Sequence, residues 1–322
     1  MLAKYISKRV FIACLTIFIA FVLTFFLTHL APGSPIRVLA GRDNPNPKQV
    51  EYLTKYYGLD QPIHVQFVRY LGNLLKGDFG RSIKSNKPVV DIIGERVVPT
   101  LILSLTGAIL SVSIGTLLGL AMGRRVGSRL DNFLCKLSYL IDAIPVFWLS
   151  MILIIVFAVQ LKWLPTTGMY SIRETYTGWA KFLDLLRHMV LPVSALVIIQ
   201  VPYYFRISRA SVISILQEDF IRTFRATGMS EQKIFNKYVL RNALIPVITS
   251  FSLSLAFTIS GVAMIEIVFA WPGMGRVILD AVAKRDYAVL SGVYLMISIS
   301  VSFFMILTDL IYAWVDPRIR LE

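Results

Sequence analysis

Cysteine and histidine are almost missing from this chain. It holds two cysteines, Cys14 and Cys135, and three histidines, His29, His64 and His188, in 322 residues. Two cysteines make neither a disulfide framework nor a zinc site unaided, and the histidines share no ligand spacing. No resident metal is expected, and both cysteines read as small buried residues. Acids are scarce as well, 19 against 33 Lys and Arg, which leaves a net charge of +14. The usual chemical signatures are absent. There is no G-x-x-x-x-G-K run ending in Ser or Thr to cradle ATP phosphates, no His-Glu-x-x-His and no Gly-x-Ser-x-Gly. The glycine-rich GNLLKGDFGRS lacks the lysine placement of a phosphate loop. No Arg-rich voltage sensor or selectivity filter is present. The chain is therefore expected to be no enzyme and to bind no cofactor itself.

What the chain has in abundance is apolar length. It is 56% hydrophobic, with a mean hydropathy of +0.67, where soluble domains are about 45–50% apolar. Several runs reach the ~20 residues that cross a bilayer. The pattern predicts an all-α polytopic membrane protein, a single transmembrane domain over 1–322 with about six spans at 10–31, 99–123, 133–160, 189–207, 243–270 and 289–314. The first run is too long for a signal-peptide core and exits without a small-x-small cleavage site. A long polar excursion, 32–98, comes after it. Two helices are expected there. One runs from Pro47 to Tyr57. The other runs from Pro62 to Lys76, with an apolar stripe of Ile63, Phe67, Leu71, Leu74 and Leu75.

Charge sets the orientation. With the N-terminus inside, the cytoplasmic segments collect Lys4, Lys8, Arg9, Arg124, Arg125, Arg129, Lys136, Arg206, Arg209, the cations of 219–246, Arg318 and Arg320. The two short outer loops hold only Lys162, Arg173, Lys181, Arg187, Arg276, Lys284 and Arg285. Positive-inside topology accounts for the net charge without nucleic acid, and it predicts that both termini are cytoplasmic. Three acids fall in apolar segments, and intramembrane acids are functional candidates by default. Asp309 is near the cytoplasmic end, within reach of Arg318 or Arg320. Glu266 is near the outer end, beside WPGMGR and Arg276. Asp142 is about 15 Å into its span at 1.5 Å per residue, and a structural hydrogen-bonding role is favoured for it over a proton relay.

The most informative stretch is polar and lies between two apolar ones: DFIRTFRATGMSEQKIFNKYVLRNALIP, residues 219–246. Its sequence predicts two short helices and a turn. Gly228 suits the left-handed position that ends the first helix. Ser230 is placed to cap the second, with Glu231 in its first turn. Pro246 punctuates the start of the next span. Read by chemistry alone, the stretch is either a solvated basic loop or a surface offered to a partner.

The segment resembles the cytoplasmic EAA loop of ABC-importer permeases. The namesake acid–Ala–Ala positions hold Arg222, Thr223 and Phe224 here, but the glycine is kept as Gly228. Thr223-x-x-Ala226-x-Gly228, followed by Leu-Arg241-Asn242-Ala-Leu-Ile-Pro, is similar to the variant of the dipeptide, oligopeptide and nickel permeases. The stations HLAPGSP, YGLDQPI, GDFGRSI, IPVFWLS, WLPTTG, FAWPGMGR, KRDYAVLSG and DPRIR recur in order along the chain. The resemblance implies a type I importer permease fold of the B-type subunit in a prokaryotic cytoplasmic membrane. It implies a second homologous permease, two ATPase subunits that bind ATP and Mg, and an extracytoplasmic substrate-binding protein. It also implies an ATPase-coupling surface made of Asp219, Arg222, Thr223, Ala226, Gly228, Ser230, Glu231, Arg241 and Asn242. It allows either peptides or nickel as cargo. The scarcity of imidazole, thiolate and carboxylate at depth favours short peptides over a bare metal ion, with nickel or a metal chelate as the alternative. A stand-alone secondary transporter and an intramembrane enzyme are the competing classes. Both lack the paired charges or convergent reactive groups they need.

Overall fold

The computed structural model describes residues 2–30, 51, 54, 60–82, 84–171, 174–256 and 262–315, with the side chains of 2–6, 27–30, 256 and 309–315 aside. The expected helix from Pro47 to Tyr57 lies outside the described residues but for two positions. Among the described residues the structure is helical, with one isolated bridge between Arg81 and Pro88. Among the described residues, five helices are long and apolar enough to cross a membrane, or six if one bent pair counts as a span. Contacts divide the chain into two units, residues 1–99 with 273–303, and residues 100–272 with 304–322.

In the first unit, α1 (Leu2–Leu30) and α2 (Ile63–Leu75) meet through rings. Phe67 lies 5.2 Å from both Phe21 and Phe25, and Tyr70 lies 5.6 Å from Phe21. Gly77 takes φ +80 just past the end of α2, the left-handed geometry a glycine tolerates. The predicted stripe is only partly covered, since Ile63 and Leu75 stay exposed. Cys14 of α1 is exposed, not buried as its size suggested. Helix α3 (Val89–Gly123) begins in this unit. Helix α11 (Met274–Lys284) and the first part of α12 (Tyr287–Val315) return to it. Asp286 caps α12, accepting from the Val289 N–H at 3.3 Å and from the Ser82 hydroxyl at 2.5 Å.

The second unit is built on α3 and α6 (Gly178–Leu216). At 1.5 Å per residue α6 is about 58 Å long, roughly twice the hydrocarbon thickness, so it extends well beyond the expected span of 189–207. The two helices meet along small residues. A Cβ on Gly119 would sit 1.8 Å from Ser208 Oγ and 2.5 Å from the Phe205 carbonyl oxygen. At Gly115 it would meet Tyr204 Cβ and the Val201 carbonyl at 2.7 Å, and at Gly123 it would meet Val212 Cβ at 2.7 Å. Glycine every fourth residue lets helix backbones approach closely within a bilayer. Between them, Ser208 reaches the Thr116 carbonyl at 3.4 Å.

The expected span 133–160 is broken. Helix α4 (Arg129–Asp142) and helix α5 (Val146–Leu153), which continues into wide π-helical turns at Ile154–Gln160, are bent by 101°. Pro145 supplies the reason. It has no N–H to continue the ladder, and it disfavours helical backbone at Ile144. The expected span 243–270 also differs. Its helix begins earlier, at Glu231, and runs through a π-helical turn at Phe235–Val239 into α9 (Leu240–Ala256), with Pro246 inside α9 and not at its start. Between α6 and that stretch lies α7 (Asp219–Ala226); Glu231–Ile234 is α8, and α10 is Ala263–Val268. The buried apolar core of this unit includes Leu103, Leu196, Met189, Phe269 and Trp271. Glu266 is fully buried and accepts a hydrogen bond from Thr100 at 2.5 Å.

The seam separates two glycines. Gly119→Ala should destabilise the protein in detergent by about 1–3 kcal/mol, as overpacking does. Gly72→Ala in α2, where an added Cβ meets nothing within 4 Å, should be neutral or slightly stabilising. Thermal unfolding of the two variants checks this; equal midpoints would remove the packing role of Gly119.

Candidate functional site

The hairpin after α6 is folded on a small apolar floor. Ile221, Ile234 and Val239 are fully buried and Phe235 nearly so, together with Leu120 of α3, Val212 of α6 and Ala243 of α9. Each such aliphatic side chain contributes about 1.5–3 kcal/mol of transfer free energy. Phe224 lies 4.3 Å from the Tyr238 ring, and the Arg124 guanidinium sits 4.3 Å over Phe235.

The turn is a Schellman motif. Gly228 has φ +79. Its N–H reaches the Arg225 carbonyl at 3.0 Å, and the Met229 N–H reaches the Phe224 carbonyl at 3.1 Å. This 5→2 and 6→1 pair satisfies the last carbonyls of α7. An added Cβ on Gly228 meets nothing within 4 Å, so the need for glycine lies in the backbone. Ser230 departs from expectation. It takes the N-cap position, but its hydroxyl makes no capping bond. Glu231 does more than face the dipole. It accepts two hydrogen bonds from Arg225, at 2.7 and 3.2 Å, and so ties the two arms together. The same carboxylate pushes Arg225 further above its ordinary range. Both groups are well exposed, so the pair shapes the turn more than it stabilises the fold.

The candidate residues share one property. Asp219, Arg222, Thr223, Ala226, Gly228, Ser230, Glu231, Arg241 and Asn242 are all exposed, while Ile221, Ile234, Phe235 and Val239 between them are buried, Phe224, Met229 and Leu240 are half-buried and Phe220 stays exposed. Asp219 and Arg222 approach at 3.4 Å, Thr223 bonds the Asp219 carbonyl at 3.1 Å, and Asn242 bonds the Tyr238 carbonyl at 2.8 Å. The result is a polar, largely basic surface on a rigid base.

The intramembrane acids are distributed otherwise. Asp142 is the last residue of α4, at the bend, and pairs with Arg206 at 2.7 Å while 38% exposed. It is no isolated acid deep in a span, because Pro145 ends the helix just beyond it. Glu266 is buried against Thr100. The Asp309 side chain, Arg318 and Arg320 lie outside the described residues. One group has no counterpart among the sequence-based expectations. Asp131 is fully buried and takes a two-pronged contact from Arg209, Nε at 2.6 Å and Nη2 at 2.7 Å, while also accepting from the Gly127 N–H at 2.9 Å. It locks α4 to α6 just above the hairpin floor. The partners are 78 residues apart, and neither lies in a local motif that would mark the pair.

The long apolar helices define a polytopic membrane protein. Similarity to known proteins narrows that class. Residues 115–321 match the family described as binding-protein-dependent transport system inner membrane component, and residues 1–106 match its N-terminal companion. The chain belongs to this family of ABC-importer permeases. Over 317 residues it is 36% identical to the glutathione transport system permease protein GsiC of Salmonella paratyphi A and to that of Escherichia coli, covering 98% of this chain and 99% of each relative. It is 35% identical over 316 residues to a probable peptide ABC transporter permease protein, y4tP, of Sinorhizobium fredii, with the same coverage. Family membership places the chain in the inner membrane, in importers that work with a binding protein and an ATPase.

The α4–α6 lock is directly testable. Asp131→Asn should destabilise the protein by about 3 kcal/mol, the low end for breaking a buried pair, because Arg209 keeps 23% exposure. Asp142→Asn, at the half-exposed pair, should cost under about 1 kcal/mol. Thermal unfolding in detergent reads both; equal losses would show that burial does not set the cost.

Proposed function

We propose that this chain is one of two permease subunits of an importer for short peptides, driven by ATP hydrolysis in partner ATPases docked on the 219–246 hairpin. The observation that carries the coupling role is the division of that hairpin, with every candidate residue exposed and Ile221, Ile234, Phe235 and Val239 buried on α3, α6 and α9. A loop that only fixed topology would need no such floor. The orientation is N-terminus and hairpin cytoplasmic, as the charge distribution favours, which sets the hairpin where an ATPase meets it. ATP and Mg belong to those partners. Substrate arrives from an extracytoplasmic binding protein. The relatives named for glutathione and peptide transport support a peptide cargo. Nickel or a metal chelate is the second reading, kept open by the sequence variant of the hairpin.

Coupling and cargo are tested separately. Gly228→Asp strains a backbone with φ +79 by about 1–2 kcal/mol and puts an acid on the docking face. Substrate-stimulated ATPase of the assembled complex should fall on the order of tenfold, about 1.4 kcal/mol at the contact, with membrane insertion unchanged. In the same complex a cysteine replacing Gln232 should react with an impermeant thiol reagent in inverted vesicles only. Normal transport by the first variant, or labelling of the second from outside, would overturn the coupling assignment. For cargo, a strain deleted for this chain should lose uptake of labelled trialanine. Parental peptide uptake together with lost nickel accumulation would establish the metal reading instead.

A further inference from the structure

Within the first unit, a cavity of about 250 Å³ is lined by Arg96, Gly273, Arg276, Val277 and Asp280. Arg96 comes from α3. Arg276 and Asp280 stand one turn apart on α11, so they share a face. The charges are unevenly matched. Asp280 is engaged by Lys284 at 3.6 Å. Among the described residues neither Arg96 nor Arg276 makes an ion pair. Two guanidiniums therefore line one concavity, and the acid that lines it with them is turned partly to another cation. A guanidinium recognises a carboxylate with a planar fork of donors, and two of them converge on a single anionic group more selectively than lysines do.

We infer that this cavity is a receiving site for the free C-terminal carboxylate of a short peptide. The inference rests on the peptide cargo and on the orientation proposed above, which puts α11 and the start of α3 on the extracytoplasmic side. Ligand pockets that enclose a drug-sized molecule run about 300–1,000 Å³. A volume somewhat below that range suits the terminal residue of a peptide, with the remainder of the molecule outside. Arg96 and Arg276 hold the carboxylate, Val277 offers apolar contact to the terminal side chain, and Asp280 sets a negative wall that limits the site to one anionic group. Such a site favours substrates with an unblocked C-terminus at the point where the binding protein releases them.

The test uses the assembled complex in right-side-out vesicles, with Cys14→Ser and Val277→Cys introduced together. The rate of reaction of the new thiol with an impermeant maleimide is measured with trialanine, with trialanine amide, or without peptide. Trialanine should slow labelling and the amide should not. Arg96→Gln and Arg276→Gln should each raise the trialanine concentration needed for protection on the order of tenfold or more, the loss expected for a hydrogen bond to a charged group. Arg276→Lys should restore part of it. Equal protection by both peptides, protection that survives both Gln substitutions, or no protection at all would overturn the site. Trialanine uptake by cells carrying the unmodified chain separates this from the wider reading. Uptake without protection removes the site alone, whereas protection without uptake removes the peptide importer and leaves a carboxylate site.

Discussion

The close approach of α3 and α6 is the constraint on which the second unit depends. Gly115, Gly119 and Gly123 leave no room for a Cβ against the backbone and side chains of Val201, Tyr204, Phe205 and Val212. In a bilayer, apolar side chains gain little by leaving lipid for one another. Association must come from dispersion contacts and from hydrogen bonds that close backbones permit. The seam supplies the first along its glycines, and Ser208, bonded at 2.9 Å to the Tyr204 carbonyl of its own helix, also comes within 3.4 Å of the Thr116 carbonyl of α3. It also sets the base on which the hairpin folds. Val212, which packs over Gly123, is one of the buried residues under the hairpin, as is Leu120 from the opposite helix. The floor of the hairpin is the cytoplasmic continuation of the seam on the proposed orientation.

Charge adds what the seam cannot. A glycine stripe fixes the distance between helices but leaves α4, a short and partly polar helix, without an apolar reason to hold one position. The Asp131–Arg209 contact gives it one. Both oxygens of the acid are engaged, one of them also by the Gly127 amide, so the desolvation cost of burying a charge is largely offset by directed bonds. The Arg206–Asp142 pair at the other end of α4 is more exposed and weaker. Two contacts three turns apart set the direction of the helix, and the strength of one and the weakness of the other leave the bend at Pro145 as the point of adjustment.

Much of this was legible in the residues, for identifiable reasons. Apolar length marks spans whatever they pack against, so the helices around 99–123, 189–207 and 289–314 were found, though shorter than they are. Their ends are amphipathic and carry no run of apolar residues to announce them. Gly228 was readable because a glycine after a helix-period stretch has few other uses. The break at 143–145 was readable from Pro145, but the apolar run on both sides concealed it. The α3 seam also carries a signal, small residues at 107, 111, 115, 119 and 123, which apolar length alone passes over. The Asp131–Arg209 pair had none, since local pattern carries no information about partners so far apart in sequence. The failure of Ser230 to cap shows a further limit. Its backbone position is the one expected, but a hydroxyl on an exposed turn has water as an equal partner.

The second arm of the hairpin bears most directly on mechanism. It is continuous with α9, from Glu231 through the π-helical turn at Phe235–Val239 to Ala256. A two-helix loop tethered by flexible ends would absorb a push at its tip. A helix that begins at the tip and enters the membrane without a break transmits it. The widened turn lies at the junction, where Phe235 and Val239 are buried on the floor. π-helical insertions are local and frequent at functional sites, and this one lets the buried residues face the floor while the helix keeps its course. If an ATPase holds Arg222, Gly228 and Glu231, a displacement of its surface reaches α9 along one helix and reaches α3 and α6 through packed side chains. Tyr204 of α6 and Ser254 of α9 are joined at 2.6 Å, so the two routes meet again within the same unit. The tip that Gly228 shapes is thus joined to the unit through both arms, by the continuous helix into α9 on one side and by the packed floor of α3 and α6 on the other.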